Sequence, residues 1–325
     1  MKTLNWGILG CGDVTEKKSG PAFNLISGSR LFAVMRRDAA KAADYARRHG
    51  VDRWYDDADA LIQDPDVNAV YIATPPGAHA SLALKVATAG KPCYVEKPMS
   101  RSHAEALEMN RVFDQAGQQL FVAYYRRALP RFEKIRELLT QGSLGELREI
   151  RYEQRSTIHR QLSQDSLPWR FQPELSGGGL FIDLGSHTLD LLDHWLGPLS
   201  FLRSELRELS GHPGVEDFVD MHFVSSSGVP GRASWNFSDE MALDRLELRT
   251  QLGRLQCSIF GQDDLEWHPE RGAMIPYHIP HPDPIQLPLI REVVSALLHG
   301  TTCCSTGSSA LRTRNLMDRA LHRIA

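Results

Sequence analysis

The first 122 residues alternate short apolar runs with helix-forming segments, and this alternation leaves few folds open to the chain. The apolar runs, interpreted as strands, are Leu4–Leu9, Leu31–Met35, Ala69–Ile72, Cys93–Val95 and Leu120–Val122. The helical patterns between them cover Ala39–His49, Ala58–Gln63, Ala80–Ala89 and His103–Ala116. Strands that alternate with helices predict a parallel, doubly wound sheet with helices on both faces. We therefore expect an α/β domain over residues 1–122.

A pair of glycines follows the first predicted strand directly. The segment Gly10–Thr15 has a GxGxx pattern in which a small residue replaces the third glycine. Gly10 allows a tight turn, and Gly12 lets the main chain approach a pyrophosphate at the start of a helix. In this position the pattern predicts a Rossmann dinucleotide-binding site that includes Asp13 and Val14.

The helix after the glycine pair is predicted to break early, at Ser19-Gly20-Pro21. Proline removes a main-chain donor and clashes with the preceding helical turn, yet it fits well in the first turn of a helix. We therefore expect one short helix to end before Gly20 and a second helix to begin there.

The end of the second predicted strand indicates which dinucleotide binds. Folds that bind NAD usually place an acid here, which bonds both ribose hydroxyls. This chain has Arg36 at that position, followed by Arg37 and Asp38. A guanidinium fits a 2′-phosphate and stacks on adenine, so NADP(H) is favoured over NAD(H). The alternative is that both arginines are solvated charges and that Asp38 caps the next helix.

Two further turns are expected at the carboxyl edge of this sheet, where open α/β sheets bind ligands. One turn is Ala73–His79 and the other is Glu96-Lys97-Pro98. A lysine beside a cofactor can hydrogen-bond a substrate oxygen and stabilise its developing negative charge. His79 either contacts the cofactor or only caps a helix. The candidate residues of these turns are Thr74, Pro75, His79, Glu96 and Lys97.

From Leu147 onward the pattern changes to alternation of polar and apolar residues, which predicts a mainly antiparallel sheet. The predicted strands are Leu147–Arg155, Phe201–Leu209, Phe218–Val224, Arg232–Phe237, Arg245–Thr250 and Arg254–Ile259. Helices are predicted at Pro130–Leu139, Pro288–His299 and Ser309–Ile324. We expect a second, α+β domain over residues 123–325, with an open sheet and helices packed on one face.

Three glycines, Gly177 to Gly179, precede an apolar helical pattern that continues to about Trp195. A regular helix places Asp183 and His187 on one face, one turn apart. A carboxylate next to an imidazole fixes the tautomer and raises the basicity of the ring, which is typical of a proton-transfer site. The alternative is an amphipathic helix whose polar residues have no common role.

Substrate contacts are predicted from two other segments. Tyr124 follows the last strand of the first sheet, at its carboxyl end. Trp169 and Arg170 lie in the loop before the three glycines and offer a stacking face and a contact to an anion or hydroxyl. Arg155, at the end of the preceding strand, and His159 and Arg160 in the loop are weaker candidates.

Composition argues against several classes of function. The net charge of −3 over 325 residues disfavours a nucleic-acid partner. No apolar run approaches the ~20 residues of a membrane span, and a strand pattern begins too early for a signal peptide. The five cysteines have no disulfide or zinc spacing, which is typical of free thiols in a reducing compartment. We expect a cytoplasmic protein with no metal, no membrane partner and a small-molecule substrate.

The order and spacing of these motifs resemble the glucose–fructose oxidoreductase and inositol dehydrogenase (Gfo/Idh/MocA) family. The resemblance extends across nearly the whole chain. It is carried by Gly10-x-Gly12, Ala73-Thr74-Pro75, His79, Glu96-Lys97-Pro98 and the Gly177–Gly179 loop with Asp183 and His187. The arginine pair after the second strand is similar to that of NADP-using members such as the dihydrodiol dehydrogenases. Trp169-Arg170 and the stretch 214–217 are similar to the anhydrofructose reductases.

The resemblance implies an oxidoreductase that transfers hydride between NADP(H) and a secondary alcohol or carbonyl of a sugar, polyol or cyclic diol. It implies that Lys97, Asp183 and His187 surround the substrate, with His187 exchanging the substrate proton. It also implies that the open sheet forms the interface of a homodimer or homotetramer. Two alternatives are a glycosidase that retains NAD, which Arg36 disfavours, and a non-catalytic ligand sensor, which Lys97 and His187 disfavour.

Overall fold

The computed structural model describes residues 3–157, 168–209 and 214–324, and these form two compact units. The first unit comprises Met1–Leu129 and Pro282–Leu311, and the second comprises Pro130–His281 and Arg312–Ala325. The predicted boundary after residue 122 differs from these units, because residues 123–129 and 282–311 group with the first unit.

The later segment belongs to the first unit because it bonds to the last strand of that unit's sheet. The N–H of Val122 donates to the carbonyl of Ser305 at 3.3 Å, and Ser305 Oγ donates to the carbonyl of Val122 at 2.7 Å. Phe121 and Thr306 form an antiparallel bridge beside this pair. Sequence periodicity gives no sign of such a pairing, since the two segments are 183 residues apart.

The first unit contains a six-stranded parallel sheet, as the strand–helix alternation predicted. Its strands are β1 (Leu4–Leu9), β2 (Ser29–Met35), β3 (Arg53–Tyr55), β4 (Ala69–Ile72), β5 (Cys93–Val95) and β6 (Leu120–Val122). They lie in the order β3-β2-β1-β4-β5-β6. The order reverses direction next to β1, so the loops after β1 and β4 meet at the switch point where such sheets bind ligands.

The helices of the described residues are distributed over both units. They are α1 (Asp13–Lys17), α2 (Gly20–Asn24), α3 (Ala39–His49), α4 (Ala58–Gln63), α5 (His79–Thr88), α6 (His103–Gln115), α7 (Pro130–Thr140), α8 (Pro173–Ser176), α9 (Ser186–Leu196), α10 (Leu287–His299) and α11 (Gly307–Ala320). The predicted break at Gly20-Pro21 is confirmed, since α1 ends at Lys17 and α2 begins at Gly20. None of the helices in the described ranges has the length and apolar character needed to cross a membrane.

The second unit contains an eight-stranded sheet that is antiparallel except where β10 pairs with β7. Its strands are β7 (Leu147–Arg155), β8 (Ser200–Arg207), β9 (Phe218–Val224), β10 (Pro230–Asn236), β11 (Leu243–Thr250), β12 (Gly253–Cys257), β13 (Leu265–Pro269) and β14 (Ile275–Tyr277). Their order is β14-β13-β12-β11-β7-β10-β9-β8. The predicted mainly antiparallel sheet is confirmed, and β13 and β14 extend it beyond the prediction.

The two faces of this second sheet differ in chemistry. Alternate residues such as Tyr152 and Trp235 are buried, and Phe181 packs edge-on against Trp235 with ring centroids 4.9 Å apart. The residues between them, such as Arg151 and Glu149, point to the other face and form ion pairs there. One face therefore packs against the segment that leads into α9, and the other presents rows of charge.

Candidate active site

The glycine loop after β1 is shaped to admit a ligand at its second glycine. Gly10 has φ +93°, and a Cβ on it would lie 2.9 Å from the Thr74 side chain. A Cβ on Gly12 would have no heavy atom of the described residues within 4 Å. Thr15 is fully buried and closes the loop, because its Oγ1 accepts from the N–H of Gly12 at 3.0 Å. The main chain at Gly12 is thus open, as a pyrophosphate requires.

Thr74 adds a second observation that fits a dinucleotide. Its Oγ1 is buried, and none of the described residues forms a hydrogen bond with it. Buried hydroxyls normally have a partner, so an orphaned one beside the glycine loop suits a bound polar group. Asp13 and Val14 lie in the first turn of α1, and Pro75 is exposed after Thr74. These are the residues that would hold the pyrophosphate side of a nucleotide.

Arg36 contacts the glycine loop. Its Nη1 donates to the carbonyl of Cys11 at 3.1 Å, and its side chain is half-buried, whereas Arg37 is exposed. Asp38 accepts from the N–H of Lys41 at 3.1 Å and caps α3. The Lys41 ammonium lies 3.0 Å from Asp38 Oδ2, and its hydrogen bond lowers the pKa of the Asp38 carboxyl. Asp38 therefore acts as the cap considered in the alternative interpretation, while the guanidinium of Arg36 lies beside the loop.

His79 connects the two turns that follow β4 and β5. It has no exposed surface, and its Nε2 and Nδ1 lie 2.7 Å and 3.0 Å from the carbonyl oxygens of Thr74 and Pro98. Burial lowers the pKa of His79. The ring lies between the two turns, within hydrogen-bond distance of one carbonyl oxygen of each, and a direct cofactor contact by His79 stays a prediction.

The turn after β5 carries Lys97, which is half-buried, next to Glu96, which is buried. Glu96 Oε1 accepts from Tyr71 Oη at 2.6 Å and from Gln286 Nε2 at 2.8 Å. Glu96 Oε2 accepts from the N–H of Lys97 at 3.2 Å. Neither Gln286 nor Tyr71 belongs to a recognisable motif, so neither could be identified from the sequence.

In the second unit, the three-glycine loop is packed from two sides. A Cβ on Gly179 would lie 2.6 Å from Val215, and a Cβ on Gly178 would lie 2.6 Å from Ile182. Arg323 Nη1 donates to the carbonyl of Gly177 at 2.5 Å, and its Nη2 donates to Glu216 at 3.1 Å. Only glycine fits at Gly178 and Gly179, so the close packing of the loop fixes where the next helix begins.

The helix after this loop differs from the prediction in its first turn. Phe181–Gly185 is a π-helical turn, and the regular helix α9 begins only at Ser186. A π turn is wider than an α turn, so Asp183 and His187 are not stacked as a continuous α-helix would place them. This turn could not be predicted from the sequence, because packing decides which main-chain groups bond there. The Phe181 ring, for example, packs so closely on Gly185 that a Cβ on Gly185 would lie 2.6 Å from it.

Asp183 pairs with a predicted substrate residue. Arg170 Nε donates to Asp183 Oδ2 at 2.9 Å, and the Arg170 guanidinium lies 4.5 Å from the centre of the Trp169 ring. His187 is buried and packs edge-on against Phe260, with ring centroids 5.8 Å apart. The structure thus brings Trp169, Arg170 and Asp183 into one connected group.

Polar residues further along α9 hold this helix against α11. Arg312 forms two bonds to the Asp193 carboxylate, at 2.6 Å and 3.1 Å, and Thr313 Oγ1 donates to Asp190 Oδ1 at 3.1 Å. Both carboxylates are buried. The acidic residues of α9 after His187 therefore support the helix, and their partners on α11 were not apparent from the sequence.

Three other candidates for substrate contact are Tyr124, His159 and Arg160. Tyr124 is only 1% exposed and belongs to the hydrophobic core of the first unit, so its substrate contact stays a prediction. His159 and Arg160 lie outside the described residues. Across the three described ranges, no group of three or more His, Cys, Asp or Glu residues is arranged to hold a metal ion.

Two family models match the chain. The model described as "Oxidoreductase family, NAD-binding Rossmann fold" matches residues 4–124, and "GFO/IDH/MocA C-terminal domain" matches residues 132–256. Oxidoreductase P35 of Formosa agariphila is 36% identical over 97% of this chain and 97% of its own length. Trans-1,2-dihydrobenzene-1,2-diol dehydrogenase of Bos taurus is 30% identical over 74% of this chain and 70% of its own length.

Solved structures share the fold. A 3-ketoreductase from Actinomadura kijaniata, in complex with NADP and TDP-benzene, has a TM-score of 0.84 at 22% identity and covers 98% of this chain and 96% of its own. Levoglucosan dehydrogenase, in complex with NADH and levoglucosan, has a TM-score of 0.87 at 21% identity and covers 99% and 96%. With the parallel sheet, the glycine loop and the Glu96-Lys97-Pro98 turn, these matches make the chain a member of the Gfo/Idh/MocA family of NAD(P)-dependent oxidoreductases.

Proposed function

We propose that the protein transfers hydride between NADP(H) and a secondary alcohol or carbonyl of a sugar, a polyol or a cyclic diol. The observation that carries this proposal is the position of Lys97. Lys97 lies two residues after the end of β5, and its turn and the Thr74 turn lie on either side of the His79 ring. The Thr74 turn also lies against Gly10 of the nucleotide loop. A lysine in a turn beside the nucleotide loop suits the oxygen on the carbon that gives up or receives the hydride.

The names of relatives and neighbours support the substrate class. The Bos taurus relative is a dehydrogenase of a cyclic diol. Two solved structures of similar fold are a 3-ketoreductase and a levoglucosan dehydrogenase in complex with levoglucosan. A screen of sugars, polyols and cyclic diols with NADP⁺ and NADPH, followed by the absorbance of the reduced nicotinamide, tests the proposal. Turnover of at least one such compound is expected. A protein that binds NADPH but turns over none of them would contradict it.

The proposed roles follow from the chemistry of each side chain. The bound nicotinamide supplies or accepts the hydride. In oxidation His187 takes the hydroxyl proton, and in reduction it returns the proton to the carbonyl oxygen. Lys97 hydrogen-bonds the same oxygen and stabilises its negative charge. Asp183, which accepts from Arg170, either orients His187 or accepts from a neighbouring substrate hydroxyl.

The preference for NADP(H) rests on Arg36. Its guanidinium already lies beside the loop, 3.1 Å from the Cys11 carbonyl, and Arg37 is exposed next to it. Arg36→Asp should erase or reverse the preference, because a charged contact to a 2′-phosphate is worth about 1.5–3 kcal/mol, or roughly tenfold or more in affinity. Fluorescence titration with NADPH and NADH measures this.

Arg47 offers a matched control for that substitution. It lies on the exposed side of α3, where it pairs with Asp44. Arg47→Asp should leave the ratio of the two dissociation constants unchanged. Equal or tighter binding of NADH to the unmodified protein would contradict the NADP(H) preference.

We also propose a homodimer or homotetramer that associates through the charged face of the second sheet. Arginine and glutamate alternate there, as in the pairs Arg249 with Glu247 and Arg151 with Glu149, so a second copy can meet it with complementary charge. Light scattering of the wild type and of Arg151→Glu measures the assembly.

A cytoplasmic location is proposed as well, because each of the five cysteines is a free thiol.

A further inference from the structure

A buried polar cluster lies behind Lys97 in the first unit. It consists of Tyr71, Tyr94, Glu96 and Gln286, and we call it the Glu96 cluster. Tyr71 and Tyr94 have no exposed surface, Gln286 is 1% exposed and Glu96 is 7% exposed. A carboxylate at this depth is unfavourable unless donors replace its lost water, so its partners control where it can lie.

Every member of the Glu96 cluster has a defined role as donor or acceptor. Tyr71 Oη and Gln286 Nε2 both donate to Glu96 Oε1, at 2.6 Å and 2.8 Å. Tyr94 Oη donates to Gln286 Oε1 at 3.0 Å. The Glu96 carboxylate fixes which end of the amide faces it, since the reversed amide would place two acceptor oxygens together, and Tyr94 Oη bonds the other end. The rings of Tyr71 and Tyr94 stack, with centroids 4.9 Å apart.

Gln286 is held independently of Lys97. It immediately precedes α10, whose inner residues Leu289, Ile290 and Val293 are buried. The N–H of Gln286 donates to the carbonyl of Lys18 at 3.2 Å. A residue 190 positions after Glu96 therefore reaches its carboxylate from a separate, firmly packed element.

We infer that Gln286 is a positioning residue for Lys97. Gln286 fixes Oε1 of Glu96, and Oε2 of the same carboxylate accepts from the N–H of Lys97 at 3.2 Å. A displaced Glu96 would release the main chain from which the Lys97 side chain extends. The inference rests on the proposed function, in which Lys97 bonds the reacting oxygen. It adds a residue that no motif contains and that touches neither substrate nor cofactor.

The substitution Gln286→Glu turns this geometry into a pH-dependent one. At low pH the two facing carboxylates share one proton, so a hydrogen bond to Glu96 remains. Their like charges raise the pKa of this pair, and as the pH rises above it the proton is lost and the carboxylates repel each other. Activity should therefore be present at low pH and fall with rising pH. A misplacement of about 1 Å costs on the order of 10²-fold in kcat.

The other titratable groups near the cluster do not imitate this behaviour. Burial and the Glu96 charge raise the pKa values of Tyr71 and Tyr94 well above their ordinary range, so both stay neutral donors. Burial lowers the pKa of His79, and a hydrogen bond with Cys303 and burial raise that of Cys304. The Glu96 charge also acts on His79, and the charges of Tyr125, Cys303 and Cys304 act on Tyr94. The wild-type protein contains all four of these groups, so any effect of their titration appears in the wild-type pH profile as well.

Two measurements between roughly pH 6 and pH 8 test the inference. This pH range lies well below the ordinary pKa of tyrosine. The first is the pH profile of kcat. The second is the rate at which acetic anhydride modifies Lys97 in the nucleotide-free protein, relative to the exposed Lys85, followed by mass spectrometry. For Gln286→Glu, kcat should fall further below the wild-type value as the pH rises, and the relative modification rate of Lys97 should differ increasingly from wild type. Gln286→Met lacks the donor at every pH, so its kcat should be reduced without a new pH dependence.

Gln119→Glu is the matched control, because it makes the same chemical change on an exposed side chain of the same unit. Both of its measurements should follow wild type. If Gln286→Glu does not fold, Gln286→Met carries the test alone: it removes the donor to Glu96 Oε1, so Lys97 modification should change while NADPH affinity does not.

The outcomes separate the inference from the proposed function. Wild-type behaviour of Lys97 in folded Gln286→Glu or Gln286→Met protein would overturn the positioning role. A changed Lys97 reactivity in a protein that turns over no sugar or diol would support the positioning role and refute the proposed function. A Gln286→Glu loss of kcat that is constant with pH, with unchanged Lys97 reactivity, would mean that Gln286 only stabilises the fold.

Discussion

His187→Ala should lower kcat by about 10²–10⁴-fold, because the variant has no group to take the hydroxyl proton or return it. NADPH affinity should barely change, since Gly12, Thr74 and Arg36 all belong to the first unit and His187 belongs to the second. Steady-state rates with the substrate found by screening, and a separate NADPH titration, measure the two effects.

His194→Ala is the matched control for this prediction. His194 lies on the same helix α9, half-buried, with Glu133 3.5 Å from its Nε2. It should retain most of the wild-type kcat. Near-normal turnover of His187→Ala would remove His187 from the mechanism and leave Lys97 or Tyr124 as the proton donor.

Lys97→Met should also reduce kcat strongly, because the negative charge that develops on the substrate oxygen loses its hydrogen-bonded cation. Loss of one such donor costs roughly 10²–10³-fold. Combined with His187→Ala, the total loss should be smaller than the sum of the two free-energy changes, because both side chains act on one oxygen. The double-mutant cycle in kcat/KM measures this coupling.

The exposed Lys85 of α5, which pairs with Asp59, provides the control: Lys85→Met should have wild-type kinetics. Strict additivity of the Lys97 and His187 effects would indicate that the two side chains act on different groups, and the assignment of a shared oxygen would then be wrong.

The first sheet could be predicted from the sequence almost strand by strand. β1, β4, β5 and β6 have the predicted bounds, because apolar runs between amphipathic helices leave only a parallel arrangement. β3 was missed, since its Arg53 and Trp54 are exposed and it has only three residues. Its pairing with β2 comes from tertiary context and not from periodicity.

The candidate site was predicted in part. The motifs identified Glu96 and Lys97 because they directly follow a predicted strand, at the ligand-binding edge of the sheet. Gln286 was invisible, since a glutamine before a helix carries no local signal and its partner is 190 residues away. The π turn at Phe181–Gly185 was equally hidden, because a spacing of four residues looks the same in either kind of helix. Long-range hydrogen bonds and helix register are decided by packing, which a single sequence does not display.

Transfer of deuterium is the most direct test of hydride chemistry. The wild-type protein is given a carbonyl compound from the screen and NADPH that carries deuterium at the transferable position of its nicotinamide, and the product is analysed by mass spectrometry. The proposed reaction predicts one deuterium on the carbon that becomes the secondary alcohol, with one NADPH oxidised per product formed. A product without deuterium, or conversion with no net oxidation of NADPH, would contradict the account and indicate a reaction in which the nucleotide is retained unchanged.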